Sequence, residues 1–200
     1  MPRRPDADVE HRILDAAYRL WTERGEAALT MREVAKAART TTPTLYQRFQ
    51  DKNDLRNFLV ERARQNLFNA IQQAETPLES LKKALEFISH HGNEYRLLTF
   101  GWAQRLASGA PMISLEFLQK LLAKELGGSP VKYKQLGLQL VAQVHGTSML
   151  LPPSDEETEI VRGFHKLCLK ACSVLIQNAN PNSKSRASRS KRGNQRQAAN

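Results

Sequence analysis

Thr42-Pro43-Thr44-Leu45-Tyr46-Gln47-Arg48-Phe49 is the stretch on which the fold is decided. Leu45 and Phe49 stand four apart, so on a helix both fall on one face. The other positions carry short hydroxyls, an amide, a guanidinium and a phenol. Pro43 fits a first helical turn, where a missing N–H leaves no bond unmade, and either Thr41 or Thr42 serves as N-cap. Such a helix buries two apolar residues and presents hydrogen-bonding groups on short stems, slim enough to enter a major groove about 12 Å wide. Its N-terminus offers free N–H groups and positive dipole charge to phosphate. Taken alone, the same octapeptide also fits a solvated helix of an all-α bundle, the commoner case.

The neighbouring sequence changes the weighting. Upstream, Thr30-Met31-Arg32-Glu33 has the T-x-x-E form of a capping box and opens a short helix through Ala38. Val34, Ala35 and Ala38 give it small partners for Leu45 and Phe49. Arg39 to Thr41 is polar and breaks the pattern. Two short helices joined by about three residues read as a helix-turn-helix. Before them, Val9, Ile13, Leu14, Ala17, Leu20 and Trp21 form one helical stripe, closed by Gly25. After them, Asp51 caps a long helix bearing Leu55, Phe58, Leu59, Ala63, Leu67 and Ile71.

Residues 12–59 resemble the N-terminal domain of TetR-family transcriptional regulators. The resemblance rests on Arg12-Ile13-Leu14-Asp15-Ala16-Ala17, Trp21-Thr22-Glu23-Arg24-Gly25, Leu29-Thr30-Met31-Arg32-Glu33-Val34-Ala35 and Thr44-Leu45-Tyr46-Gln47-Arg48-Phe49, with Lys52 and Leu55 following. It implies roles for these side chains. Thr30 bonds a phosphate, and Arg32 points to a guanine edge or a phosphate. Thr42, Pro43 and Thr44 contact bases, Pro43 through a thymine methyl. Tyr46 and Lys52 grip backbone phosphates, Gln47 and Arg48 read bases or phosphates, and Thr41 and Arg39, the latter by meeting a phosphate, complete the DNA-binding set. Three positions depart from the family pattern. Arg39 stands where Gly is usual, Thr40 where an apolar residue is usual, and Gln50 where Pro is common. If position 39 needs a positive φ, Arg there costs near 1 kcal/mol relative to Gly.

The remaining chain also reads as helical, without internal repeat. Thr76-Pro77-Leu78-Glu79 is a second capping box whose helix stops at Gly92. Expected helices then run from Asn93 to Ala107, Pro111 to Leu126, Pro130 to Leu151, and from a Ser154 cap to about Gln177, nine in all. The expected class is all-α. A DNA-binding domain over 1–54, with a flexible arm at 1–7, precedes a helical effector-binding and dimerisation domain over 55–178. Arg3 and Arg4 in the arm have two open readings, a minor-groove contact or a frayed terminus. In the last helix Glu159, Arg162, Lys166 and Lys170 form a narrow polar stripe, and almost the whole remaining arc is apolar. One core face does not use so wide an arc. Two such helices at the end of the chain imply a four-helix interface in a homodimer.

Charge and composition narrow the function. The net charge is +10, but Lys184, Arg186, Arg189, Lys191, Arg192 and Arg196 supply six cations with no acid in 179–200. The tail reads as disordered, with nonspecific DNA attraction or solubility as its role. No apolar run exceeds three residues, against about twenty for a membrane span. No signal peptide is evident at the N-terminus, and Cys168 and Cys172 are the only cysteines, so a reduced cytoplasmic setting is expected. Cys168 and Cys172 fit two small core side chains better than a redox sensor. There is no H-E-x-x-H, no C-x-x-C, no Walker loop and no dinucleotide-binding glycine cluster. Neither an enzyme, a cofactor nor a metal site is expected. For a small, apolar effector, Trp102, Arg105, Tyr133, His145 and Met149 are candidate ligands, although aromatic and Met residues at helical spacing are more often core. The sequence therefore points to a homodimeric DNA-binding regulator, a repressor released from a palindromic operator by that effector. The alternative is a nonspecific nucleic-acid binder acting through the tail.

Overall fold

The computed structural model describes residues 7–151 and 158–180. The expected arm up to residue 6, the Ser154 cap and the tail from residue 181 lie outside the described residues. Among the described residues ten α-helices follow one another: α1 Ala7–Arg24, α2 Met31–Ala37, α3 Thr42–Tyr46, α4 Lys52–Ile71, α5 Pro77–His90, α6 Gly92–Thr99, α7 Trp102–Ser108, α8 Ile113–Leu126, α9 Lys134–Leu150 and α10 Glu159–Ala179. Short 3-10 turns at Glu26–Ala28 and Pro130–Tyr133 lead into α2 and α9. The all-α class is as expected, and no strand occurs among the described residues.

The helix ends follow the local chemistry. The Thr30 hydroxyl accepts from Glu33 N–H at 3.2 Å and the Thr76 hydroxyl from Glu79 N–H at 3.2 Å, as the two capping boxes predict. Asp51 caps α4 by accepting from Asn53 and Asp54 N–H at 2.7 and 2.8 Å. Several boundaries differ from expectation. The helix expected over Asn93–Ala107 is broken at Gly101, which adopts φ +66°. The break lets Phe100 leave the helical path, meeting Trp21 edge to face at 5.6 Å and lying under the Arg56 guanidinium at 4.2 Å. The last described helix has Thr158 as its N-cap, whose hydroxyl accepts from Val161 N–H.

Backbone contacts divide the chain into two compact units, one of residues 1–67 and 88–110, the other of 68–87 and 111–200. The division falls inside α4, and α6 and α7 join the first unit. In that unit α1, α2, α3, α4 and α6 bury Ile13, Trp21, Leu29, Val34, Leu45, Phe49, Leu55 and Leu97. A polar network lies among them. Asn66 Nδ2 donates to Tyr18 Oη and to Glu94 Oε1, each at 2.8 Å, and Glu94 is only 5% exposed. Burial first, and then the Glu94 hydrogen bond, push the Tyr18 phenol well above its ordinary range.

The second unit packs α8, α9 and α10 around Leu115, Leu118, Leu122, Leu140, Val144 and Ile176. Gly137 permits close approach of α9 to α8, since a Cβ there would stand 2.9 Å from Leu115 Cδ1. Phe68 and Phe117 meet edge to face at 5.9 Å. Cys168 and Cys172 are buried side by side on α10. Hydrogen bonds from Cys172 and from Thr147 hold the Cys168 thiol below the usual range, and Cys172, as donor, is pushed up.

Candidate nucleic-acid interface

The proposed reading surface begins at the Thr30 cap and ends in the first turn of α4. Short α2 buries Val34 and Ala35, and short α3 buries Leu45. With Ala38 and Phe49 these residues form the small core that fixes one helix against the other. Arg39 turns the chain between them with φ +52°, the single positive φ outside glycine among the described residues. The departure from Gly at this position is thus accommodated in the left-handed region. Thr40 is half-buried, and its N–H closes the turn on the Ala35 carbonyl at 2.9 Å. Gln50 N–H donates to Asp54 Oδ2 at 3.1 Å, a bond that a proline there could not make.

Thr41, not Thr42, is the N-cap of α3, and its hydroxyl accepts from Thr44 N–H at 3.2 Å. The Thr41 and Thr44 hydroxyls also lie 2.8 Å apart, so in the unliganded protein the Thr44 hydroxyl is engaged inside the helix end and its methyl is the freer group. Around α3, Pro43, Tyr46 and Gln47 are exposed on helical spacing opposite Leu45 and Phe49. Tyr46 is 52% exposed, unusually open for an aromatic residue. Thr42, Thr44 and Arg48 are half-buried, and Thr30, Arg32, Arg39 and Thr41 are exposed. Lys52 begins α4 half-buried, with Nζ 3.4 Å from the Glu26 carbonyl oxygen. The expected DNA contacts therefore all fall on consecutive segments, from α2 through the turn and α3 to the start of α4. What the sequence reading missed is the 3-10 turn at Glu26–Ala28, which receives Lys52 and places the Glu26 carboxylate 3.7 Å from Arg56. The signal available was an acid between Gly25 and the buried Leu29.

The candidate effector ligands are divided between the two units. Trp102 and Arg105 belong to the first unit, and Tyr133, His145 and Met149 to the second. Arg105 lies 3.9 Å from Glu61, which also pairs with Arg64 at 3.0 Å. Tyr133 is 3% exposed and donates its hydroxyl to the Gly127 carbonyl at 2.5 Å, closing the C-terminus of α8. Its hydroxyl is thus already engaged within the second unit. His145 on α9 is half-buried, and desolvation lowers its pKa. Met149 is half-exposed near the end of the same helix. No group of three or more His, Cys, Asp or Glu that could hold a metal ion occurs among the described residues, and none of their helices is long and apolar enough to cross a membrane.

A family model described as bacterial regulatory proteins, tetR family, matches residues 13–57. The chain is 36% identical over 85 residues to an uncharacterized HTH-type transcriptional regulator of Mycobacterium tuberculosis, a match covering 38% of this chain and 42% of that protein. It is 33% identical over 104 residues to the HTH-type transcriptional activator FasR of Mycolicibacterium smegmatis, covering 48% of each. The matches thus span less than half the length of these curated relatives. Among solved structures, a TetR-like transcriptional regulator from Rhodococcus sp. RHA1 aligns over 85% of this chain and 96% of its own, with TM-score 0.57 and 22% identity. The multidrug binding protein EbrR, complexed with imidazole, aligns over 88% and 93%, with TM-score 0.59 and 20% identity. At such identity these structures show a common fold. The motif string around α2 and α3 lies within residues 13–57, the stretch that meets the family model, and the helical order that carries it is shared with these solved structures over most of the chain.

Proposed function

We propose that the chain is a sequence-specific, homodimeric DNA-binding transcriptional regulator that inserts α3 into the major groove. One observation carries this reading. The exposed side of α3 bears Pro43, Tyr46 and Gln47 while its other side is fixed by Leu45 and Phe49. A helix held from behind, with polar and aromatic groups in front, is built to be pressed into a groove. Pro43 and the Thr44 methyl suit a thymine methyl, Gln47 suits an adenine edge, and Tyr46 with Lys52 suits phosphates on either side. The tetR family is one of regulators and not of enzymes.

A second copy completes the reader, because one such head covers few base pairs. The support for the dimer lies on α9 and α10. Ile160, Phe164, Leu167 and Val174 run along α10 at helical spacing and are exposed, Leu167 to 65%. On α9, Met149 and Leu150 are likewise exposed, and Gly146 has open space beside it. An apolar face of this length in water calls for a partner, and a second α9–α10 pair matches it. The operator is then palindromic, with half-sites about one helical turn apart.

The proposed control is release from DNA by a small apolar effector that binds the two head spacings with different affinity. EbrR, named for multidrug binding, supports an effector of this kind. The proposed sign is repression in the cytoplasm. FasR is named an activator, so the sign is read by transcription in vitro with and without the protein.

Selection of bound duplexes from a random pool tests the reading. A recurrent palindrome supports it, and an unenriched pool rejects it. Truncation after residue 178 separates the alternative: if all binding is lost and every sequence binds the full chain equally, the basic tail is the binder.

A further inference from the structure

Lys52 and Arg56 stand one turn apart on the same face of α4, and both converge on Glu26 in the 3-10 turn at Glu26–Ala28. Lys52 Nζ donates to the Glu26 carbonyl at 3.4 Å, and the same oxygen accepts from Leu29 N–H at 3.1 Å. The Arg56 guanidinium faces the Glu26 carboxylate at 3.7 Å and also covers the Phe100 ring at 4.2 Å. None of the three residues of the turn is buried, and Gly25 before it offers no side-chain cap. The turn is therefore not fixed by packing of its own side chains, although it carries the carbonyl that receives Lys52.

Burial decides which partner positions the other. The Arg56 side chain is 22% exposed and its cation rests on an aromatic face, which fixes the guanidinium. The Glu26 side chain is 51% exposed, so Arg56 is the fixed post and Glu26 the group it holds. Lys52 lies in the first turn of α4, where the helix dipole repels a cation, and Arg56 four residues on adds like-charge repulsion. Both push the ammonium outward. The Glu26 carbonyl gives it a defined acceptor at this edge of the proposed reading surface, and the carboxylate beside it is neutralised by Arg56. An unpaired carboxylate there would repel the phosphate that Lys52 is proposed to grip.

We propose that Arg56 is a positioning residue for DNA binding: by pinning Glu26 against α4 it holds the Lys52 ammonium ready for a phosphate, without touching DNA itself. The inference rests on the reading of Lys52 as a phosphate contact. A lysine that is already ordered gives up less side-chain freedom when it meets a phosphate, so binding is tighter for the same number of contacts. Arg56 brings no charge of its own to the duplex, and the salt dependence stays that of the contacts already made.

The experiment has one arm with DNA and one without, both on the full chain. In the first, the palindromic duplex recovered by selection is titrated over a range of salt concentrations. Arg56→Met, which keeps an unbranched apolar stem against Phe100, is expected to weaken binding roughly 3- to 10-fold with an unchanged salt slope, and Arg56→Lys to restore most of the loss. In a Lys52→Ala background Arg56→Met is expected to change affinity by less than about 2-fold, since the residue it acts through is gone. An equal loss in both backgrounds overturns the proposal, as does a salt slope reduced by about one, the mark of a direct phosphate contact. In the second arm, carbon relaxation of the Lys52 Cε methylene is measured in the free protein. Arg56→Met is expected to raise its mobility to that of the exposed Lys36. Lys52 as mobile as Lys36 in the unaltered protein overturns the proposal without any variant having to fold. A chain that binds no duplex rejects the regulatory reading in the first arm, while the second still decides whether Arg56 orders Lys52.

Discussion

The indole of Trp21 donates its Nε1–H to the main-chain carbonyl of Asn93 at 2.6 Å, and the Asn93 side chain donates back to the Thr22 carbonyl at 3.0 Å. The end of α1 and the start of α6 are thereby clasped in both directions. Trp21 is 1% exposed, so its donor has no water to fall back on. Trp21→Phe keeps the ring against Phe100 but leaves the Asn93 carbonyl short of a donor, at an expected cost of about 1–3 kcal/mol. Trp21→Ala adds a cavity and costs about 3–5 kcal/mol. Denaturant unfolding of the two variants measures the difference.

Arg39 pays for its left-handed conformation at φ +52°. Arg39→Gly removes the strain and is expected to stabilise the protein by near 1 kcal/mol, less the extra entropy of glycine in the unfolded chain. Thermal unfolding reads this gain. If the guanidinium also meets a phosphate, DNA affinity falls in the same variant, and the two readouts move in opposite directions.

On α3 the two kinds of contact separate by their sequence dependence. Tyr46→Ala or Lys52→Ala is expected to weaken binding to all duplexes and to reduce the salt slope by about one. Thr44→Ala is expected to cost about 1–2 kcal/mol and to relax selectivity at one base pair. Since the Thr44 hydroxyl lies 2.8 Å from that of Thr41, Thr44→Val keeps the methyl and separates the two groups' contributions. If Thr44→Ala and Tyr46→Ala both leave operator affinity unchanged in a filter-binding titration, α3 is not the reading helix.

Alkaline pH should loosen the first unit. The Tyr18 and Tyr95 phenols are both pushed far up, each chiefly by desolvation. A raised folded pKa means that the native state holds the proton more tightly than the unfolded chain. Stability is then full below the ordinary tyrosine value of about 10 and is lost as pH rises above it. Unfolding free energies at successive pH values above 9 test this, and Tyr18→Phe should flatten the decline. On the acid side, His145 has a lowered folded pKa, so its contribution is present above about 6.5 and fades as pH falls.

Leu167 at 65% exposure is the most open large side chain in the middle of α10. Leu167→Glu should leave the subunit folded and convert a dimer to monomer, since a charge at the centre of an apolar interface must be desolvated. Sedimentation velocity measures the mass. Affinity for a palindrome should fall with it, toward that of a single half-site.

Much of this protein is legible without coordinates. The caps at Thr30, Thr76 and Asp51, the stripe ending at Gly25 and the Pro43 turn are local: each depends on residues within one helical turn. The proposed reading surface follows the same local rule, being confined to residues 30–52. The break at Gly101 was not, because a single glycine fits either a continuous or an interrupted helix. Contact of Phe100 with Trp21 and Arg56, distant in sequence, goes with the interrupted form.

The same distinction separates Tyr133 from Tyr46. As letters they are one residue type, but Tyr133 satisfies its hydroxyl on the Gly127 carbonyl inside a unit, and Tyr46 stands in solvent. Sequence alone determined the all-helical class, several helix caps and the octapeptide proposed to face DNA, since hydrogen-bond caps and apolar periodicity act over a few residues. Only the tertiary structure decided which polar groups are already bound, as in the Trp21–Asn93 clasp and the Tyr18–Asn66–Glu94 network. A donor and an acceptor dozens of residues apart leave no periodic trace in a chain, and they find each other only when helices pack.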